Sequence, residues 1–120
     1  EEAVRFLAVE SLLRGGFLVL EAGSGEEALR VSDALDGAIH GLVTDVVMPG
    51  MKGPELARRL RAARPSVRVL LLAGYAADVV TKDDLAEATL LSKPFSPAAL
   101  NQAVRKLIAP PLSPGPPPKG

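Results

Sequence analysis

At 120 residues, 48% of them apolar and 23% charged, the chain has the length and composition of one globular domain. Its 14 basic and 14 acidic residues cancel, which removes the electrostatic case for nucleic-acid binding, and the absence of cysteine excludes a disulfide framework and thiolate chemistry. The single histidine, His40, cannot by itself build a zinc site or a Ser-His-Asp triad; with no apolar run near the roughly 20 residues of a membrane span and no visible signal peptide, the expected location is cytoplasmic.

In chain order, Val4, Leu7, Ala8, Ser11 and Leu12 recur at helical spacing, and "RGG" closes that helix at Gly15 and Gly16. "FLVLEA", Phe17 to Ala22, reads as a short apolar strand. Ser24 and Glu27 carry a capping-box signature, and Ala28, Val31, Ser32 and Leu35 give the helix that follows its buried face. "GLVTDV" from Gly41 is the next strand. A helix from Gly53 to Arg64 turns Leu56, Leu60 and Ala63 inward and stops before Pro65; "VRVLLLAG" from Val67 is a third strand, ended by Gly74. A weaker helix runs from Ala76 toward Ala88, and "ATLLS" is a fourth strand. Ser96 caps a last helix with Pro97 at its first position and Leu100, Ala103, Val104, Leu107 and Ile108 as its inner stripe. Arg58, Arg59, Arg61 and Arg64 read as a solvated helix face, His40 as a loop histidine and Tyr75 as a partly exposed packing residue.

Six of the 11 prolines lie between Pro110 and Pro118. The folded unit is therefore expected over residues 1–109 and an extended tail over 110–120, read as a spacer or frayed terminus or else as a ligand for a proline-reading module. Near-continuous apolar strands separated by helices predict an α/β fold, a doubly wound parallel sheet with helices on both faces. Sites in such sheets form beyond the carboxyl ends of the strands. Asp45, Ala73-Gly74 and Ser92-Lys93 fall at three such ends, which brings a carboxylate and an ammonium to one crevice.

"LVTDVVMPGMKGPEL", "VRVLLLAGYA" and "LLSKPFSPAAL" together resemble the phosphoacceptor segment, fourth strand and fifth strand of response-regulator receiver domains, with Lys93-Pro94-Phe95 standing 48 positions after Asp45. The resemblance spans Glu1 to Ile108, and in style it is most similar to receivers of hybrid sensor histidine kinases. It implies a flavodoxin-like fold with strand order 2-1-3-4-5. It also implies that Asp45 takes a phosphoryl group as an aspartyl phosphate, that Lys93 contacts the carboxylate and the phosphoryl oxygens, and that Mg²⁺ is bound by Asp45, the backbone carbonyl of Val47 and an acidic pair. Met48, Pro49, Gly53 and Pro94 would shape the surrounding loops, with the Lys93–Pro94 bond cis.

The sequence departs from that pattern in two places. The acidic pair that ends the family's first, central strand has no counterpart: "EEAVRFLAVESLL" resembles the segment after it, and Glu1 and Glu2 align with the loop beyond. The slot of that strand is then filled by a segment upstream of Glu1, filled by a second copy through swapping or dimerisation, or closed by the remaining strands. The switch hydroxyl of the family is replaced by Ala73, and its switch aromatic by Leu90. Without the acidic pair, both Mg²⁺ binding and phosphorylation are expected to be impaired.

Two functions of different class follow. One is a phosphorelay receiver, a signalling module rather than an enzyme, whose partner is a histidine kinase or phosphotransfer domain, with a homodimer possible and no contact with nucleic acid or membrane. The other is a pseudo-receiver that only binds proteins or dimerises. A flavodoxin-like nucleotide or flavin binder ranks below both, since neither GxGxxG nor a P-loop is present.

Overall fold

The computed structural model describes residues 2–74, 81–83 and 88–108. Helix α1 covers Glu2–Arg14, α2 Gly25–Ala34, strand β1 Gly41–Asp45, α3 Gly53–Ala63, β2 Arg68–Ala73, β3 Thr89–Ser92 and a final helix, α4, Pro97–Ile108. The expected helix from Ala76 toward Ala88, the loop residue Tyr75 and the proline tail lie outside the described residues.

Local sequence sets the helix ends. Gly16 adopts a positive φ of 93° after α1, and the N–H groups of Phe17 and Gly16 donate to the carbonyls of Leu12 and Leu13, a Schellman closure. Ser24 accepts from the Glu27 amide at 3.1 Å while Glu27 returns to the Gly23 amide, so the capping box forms one residue wider than expected. At α4, Ser96 accepts from the Ala99 amide at 3.0 Å.

The three strands pair in parallel in the order β1-β2-β3. Central β2 is buried on both faces, which is why it reads as an unbroken apolar run. Leu70 and Leu72 point into a core with Leu12, Leu100 and Val104, on the side of α1 and α4. Val69 and Leu71 point into a second core with Val46 and Ala57, on the side of α3. The sheet therefore carries helices on both faces, as a doubly wound fold requires.

Two expectations are corrected here. Residues 17–22 are not a sheet strand: among the described residues they make no strand pairing, although Phe17 and Val19 pack on the α1/α4 core. A strand is stabilised by its ladder, and no described strand lies between this segment and β1. Leu18 is fully exposed as a result, and the remaining strands have not closed up. Ala63 is exposed rather than inward, because the buried stripe of α3 runs through Leu56, Ala57 and Leu60. That stripe continues to Arg64, which is no solvated surface residue. Its guanidinium donates to Ser32 Oγ at 2.7 Å and to the carbonyls of Ser32, Leu35 and Gly37 at 2.9 Å each, closing the carboxyl end of α2. Arg59 keeps the expected surface role, paired with Glu55 one turn away at 2.8 Å.

Candidate functional site

Parallel pairing puts the carboxyl ends of all three strands on one rim. Asp45 is in register with Leu72, and Ala73 with Ser92. The chain then continues from Ser92 to Lys93, whose backbone N–H donates to the Ala73 carbonyl at 2.8 Å and so extends the ladder one residue past β3. Side chains alternate along a strand. Val43 and Leu91 both pack on the α1/α4 core, so Asp45 and Lys93, each two residues on, leave the sheet with the same parity. Strands β1 and β3 are separated by β2, about 10 Å in all, a span that only a long side chain crosses. Lys93 crosses it: its ammonium lies 2.8 Å from Asp45 Oδ1. The contact is off the line of an aligned hydrogen bond, so this buried oxygen is held by charge. Both side chains remain about one quarter exposed, at 26% for Asp45 and 27% for Lys93, so the pair is reachable from solvent.

The loop after Asp45 is tied at several points. Val46 donates to the Leu72 carbonyl at 3.0 Å and accepts from the Gly53 amide at 3.0 Å. The Cα of Gly53 packs directly on the Asp45 carbonyl, where any Cβ would collide. Gly50 turns the chain with φ 77°, and the Lys93–Pro94 bond is cis. Between the tied points Val47 is exposed, and among the described residues no group donates to its carbonyl. Asp45 and the Val47 carbonyl are hard oxygen donors of the kind that suits Mg²⁺, which takes one or two carboxylates and keeps several waters. Among the described residues no cluster of three acidic or histidine side chains completes that set.

Ala73 stands at the end of β2 beside the ion pair with no hydroxyl to offer, and Leu90 on β3 is 39% exposed. Sequence reasoning missed Thr44, a buried hydroxyl next to Asp45, and missed the hydrogen-bonding role of Arg64 at the end of α2. The available signal for Thr44 was parity: it shares the α3-facing side of β1 with Leu42, where a polar residue needs a partner.

The model of the response regulator receiver domain matches residues 1–105. The chain belongs to this family. It is 40% identical over 110 residues to the sensor kinase CckA of Brucella abortus, covering 90% of this chain and 12% of that protein. It is 34% identical over 106 residues to the receiver protein CpdR of the same organism, covering 87% of this chain and 86% of that protein. Among solved structures, the receiver domain of the hybrid histidine kinase CckA superposes with a TM-score of 0.76 at 34% identity, over 90% of this chain and 92% of that one. The fold is thus the flavodoxin-like α/β fold of receivers. Receiver domains are signalling modules that interact with histidine kinases or phosphotransfer proteins and generally bind Mg²⁺ at an acidic site. Among the described residues no helix is long and apolar enough to cross a membrane.

Proposed function

We propose that this chain is the phosphoacceptor module of a phosphorelay, with Asp45 as the residue phosphorylated. The observation that carries the reading is the Lys93 ammonium at 2.8 Å from a buried Asp45 oxygen on the carboxyl rim of a parallel sheet. In the reaction an Asp45 oxygen attacks the phosphorus of a kinase phosphohistidine. The P–N bond breaks, an aspartyl phosphate forms, and the freed imidazole takes a proton from solvent. Nucleophile and donor are both anionic, so cations must offset their repulsion. Lys93 supplies one charge, already in place beside Asp45. Asp45 and the Val47 carbonyl would hold Mg²⁺, which when bound supplies further neutralisation of the phosphoryl oxygens. Met48, Pro49, Gly53 and Pro94 shape the two loops that frame the pair. Partners would be a histidine kinase or phosphotransfer domain. The ion pair is open to solvent on a chain with no charge excess for nucleic acid, in keeping with a cytoplasmic relay.

Incubation with phosphoramidate and Mg²⁺, read by intact mass, tests this. The expected result is a ~80 Da adduct, formed more slowly than on a receiver that carries the acidic pair, that Asp45→Ala abolishes. No adduct, under conditions that label a control receiver, overturns it.

A second reading has its own support. Ala73 and Leu90 remove the hydroxyl and aromatic of the family's switch, which favours a pseudo-receiver that binds a protein partner or dimerises without phosphorylation. It predicts partner binding or self-association unchanged by Asp45→Ala.

A further inference from the structure

Thr44 immediately precedes Asp45 and is buried, 6% exposed, on the face of β1 that carries Leu42 toward the α3-side core. Its hydroxyl has two acceptors in reach, the Asp45 carbonyl at 3.1 Å and Met48 Sδ at 3.5 Å. With one proton the hydroxyl donates to one of them at a time; the first holds the backbone of the residue that carries the carboxylate. The second spans the loop, so that Asp45, Val46 and Val47 are bracketed between Thr44 and Met48. Val46 is fixed from both sides by Leu72 and Gly53. Val47 is not, and Met48 just beyond it meets the Thr44 hydroxyl.

We propose that Thr44 is a positioning residue for the phosphoacceptor loop: its hydroxyl sets the orientation of the Asp45 and Val47 carbonyls. The proposal rests on the reading of Asp45 as the phosphorylated residue for its effect on rate, but not for its effect on the loop. A hydroxyl with only a local packing role would satisfy itself and leave the loop unaffected when replaced by an isosteric apolar group.

The test uses Thr44→Val, which keeps the shape, and Thr44→Ser, which keeps the hydroxyl. The backbone carbonyl ¹³C resonance of Val47 is read, with that of Leu72 as internal reference, and the rate of mass adduct formation with phosphoramidate and Mg²⁺ is read alongside. Thr44→Val is expected to shift the Val47 carbonyl resonance while Leu72 stays in place. It is expected to slow adduct formation roughly tenfold, with Thr44→Ser close to the parent in both. A Val47 carbonyl resonance unchanged in Thr44→Val overturns the proposal. An unlabelled parent chain would overturn the phosphoacceptor reading instead, while the carbonyl measurement still decides the role of Thr44.

Discussion

Gly53, the first residue of α3, rests its Cα on the carbonyl oxygen of Asp45, the last residue of β1. The Gly53 amide meanwhile donates to Val46. The start of the helix and the end of the strand are therefore in backbone contact at the candidate nucleophile. A methyl group at Gly53 has only backbone to displace, so Gly53→Ala must move either α3 or Asp45. Overpacking of this kind costs about 1–3 kcal/mol. Urea unfolding of Gly53→Ala should show that loss of stability, and adduct formation at Asp45 should fall with it, because the displaced atom belongs to the reacting residue. Parent-like stability in this variant would mean that the contact relaxes freely.

Lys93 gives a cleaner separation of chemistry from stability. Its side chain is 27% exposed and makes its described ion pair with Asp45 alone, so Lys93→Ala should unfold at nearly the parent urea concentration. The phosphorylation rate should drop about 10²-fold or more, the scale for losing a preorganised charge that stabilises a transition state. Lys93→Arg should recover little, since a planar fork does not replace a point charge at the end of a chain that spans β2. A parent-like rate for Lys93→Ala would remove Lys93 from the mechanism.

The features legible in the sequence were those set by local period and by strand ends. Asp45 and Lys93 could be placed because each ends an apolar run and parallel strands end on one rim. Leu100 and Val104 were readable as core because helical spacing repeats them through α4. What was not legible depended on neighbours. Phe17 to Ala22 has strand composition, but a strand needs a ladder, and nothing in six residues reports whether the adjacent strand is there. Arg64 closes a run of arginines that looks solvated, and only the fold brings the carbonyl end of α2 within its reach. Ala63 fits a three-residue spacing from Leu60 but lies to one side of the stripe that Ala57 defines.

Arg64 should accordingly be a stability residue. It gives four hydrogen bonds to Ser32, Leu35 and Gly37, and a cation at a helix carboxyl terminus adds a favourable interaction with the dipole. Removing one charged donor set that satisfies part-buried carbonyls costs about 2–3 kcal/mol. Arg64→Ala should lower the unfolding free energy read from urea titration by that amount, and Arg64→Lys should restore only part, because an ammonium cannot reach carbonyls arranged around a fork. Arg59→Ala, whose partner Glu55 is a surface residue of the same helix, should change stability by under about 0.5 kcal/mol. Equal effects from Arg64→Ala and Arg59→Ala would contradict the clamp.

The unpaired side of β1 makes a prediction that needs no mutation. The His40 carbonyl accepts from Arg68 and the Val46 amide donates to Leu72, so by parallel alternation the amides of Leu42 and Thr44 face β2. Those of Gly41, Val43 and Asp45 face the other way, where no described strand pairs with them. Hydrogen exchange along β1 should therefore alternate, with Leu42 and Thr44 protected and Gly41, Val43 and Asp45 exchanging roughly tenfold faster or more. In β2, where Leu70 to Leu72 are paired on both sides, those three residues should show no such alternation. Uniform protection along β1 would mean that a strand occupies its free edge in solution, whether from a second copy or from elsewhere. Repeating the measurement across a dilution series separates these, because protection supplied by a second copy falls as the protein is diluted while protection supplied within the chain does not.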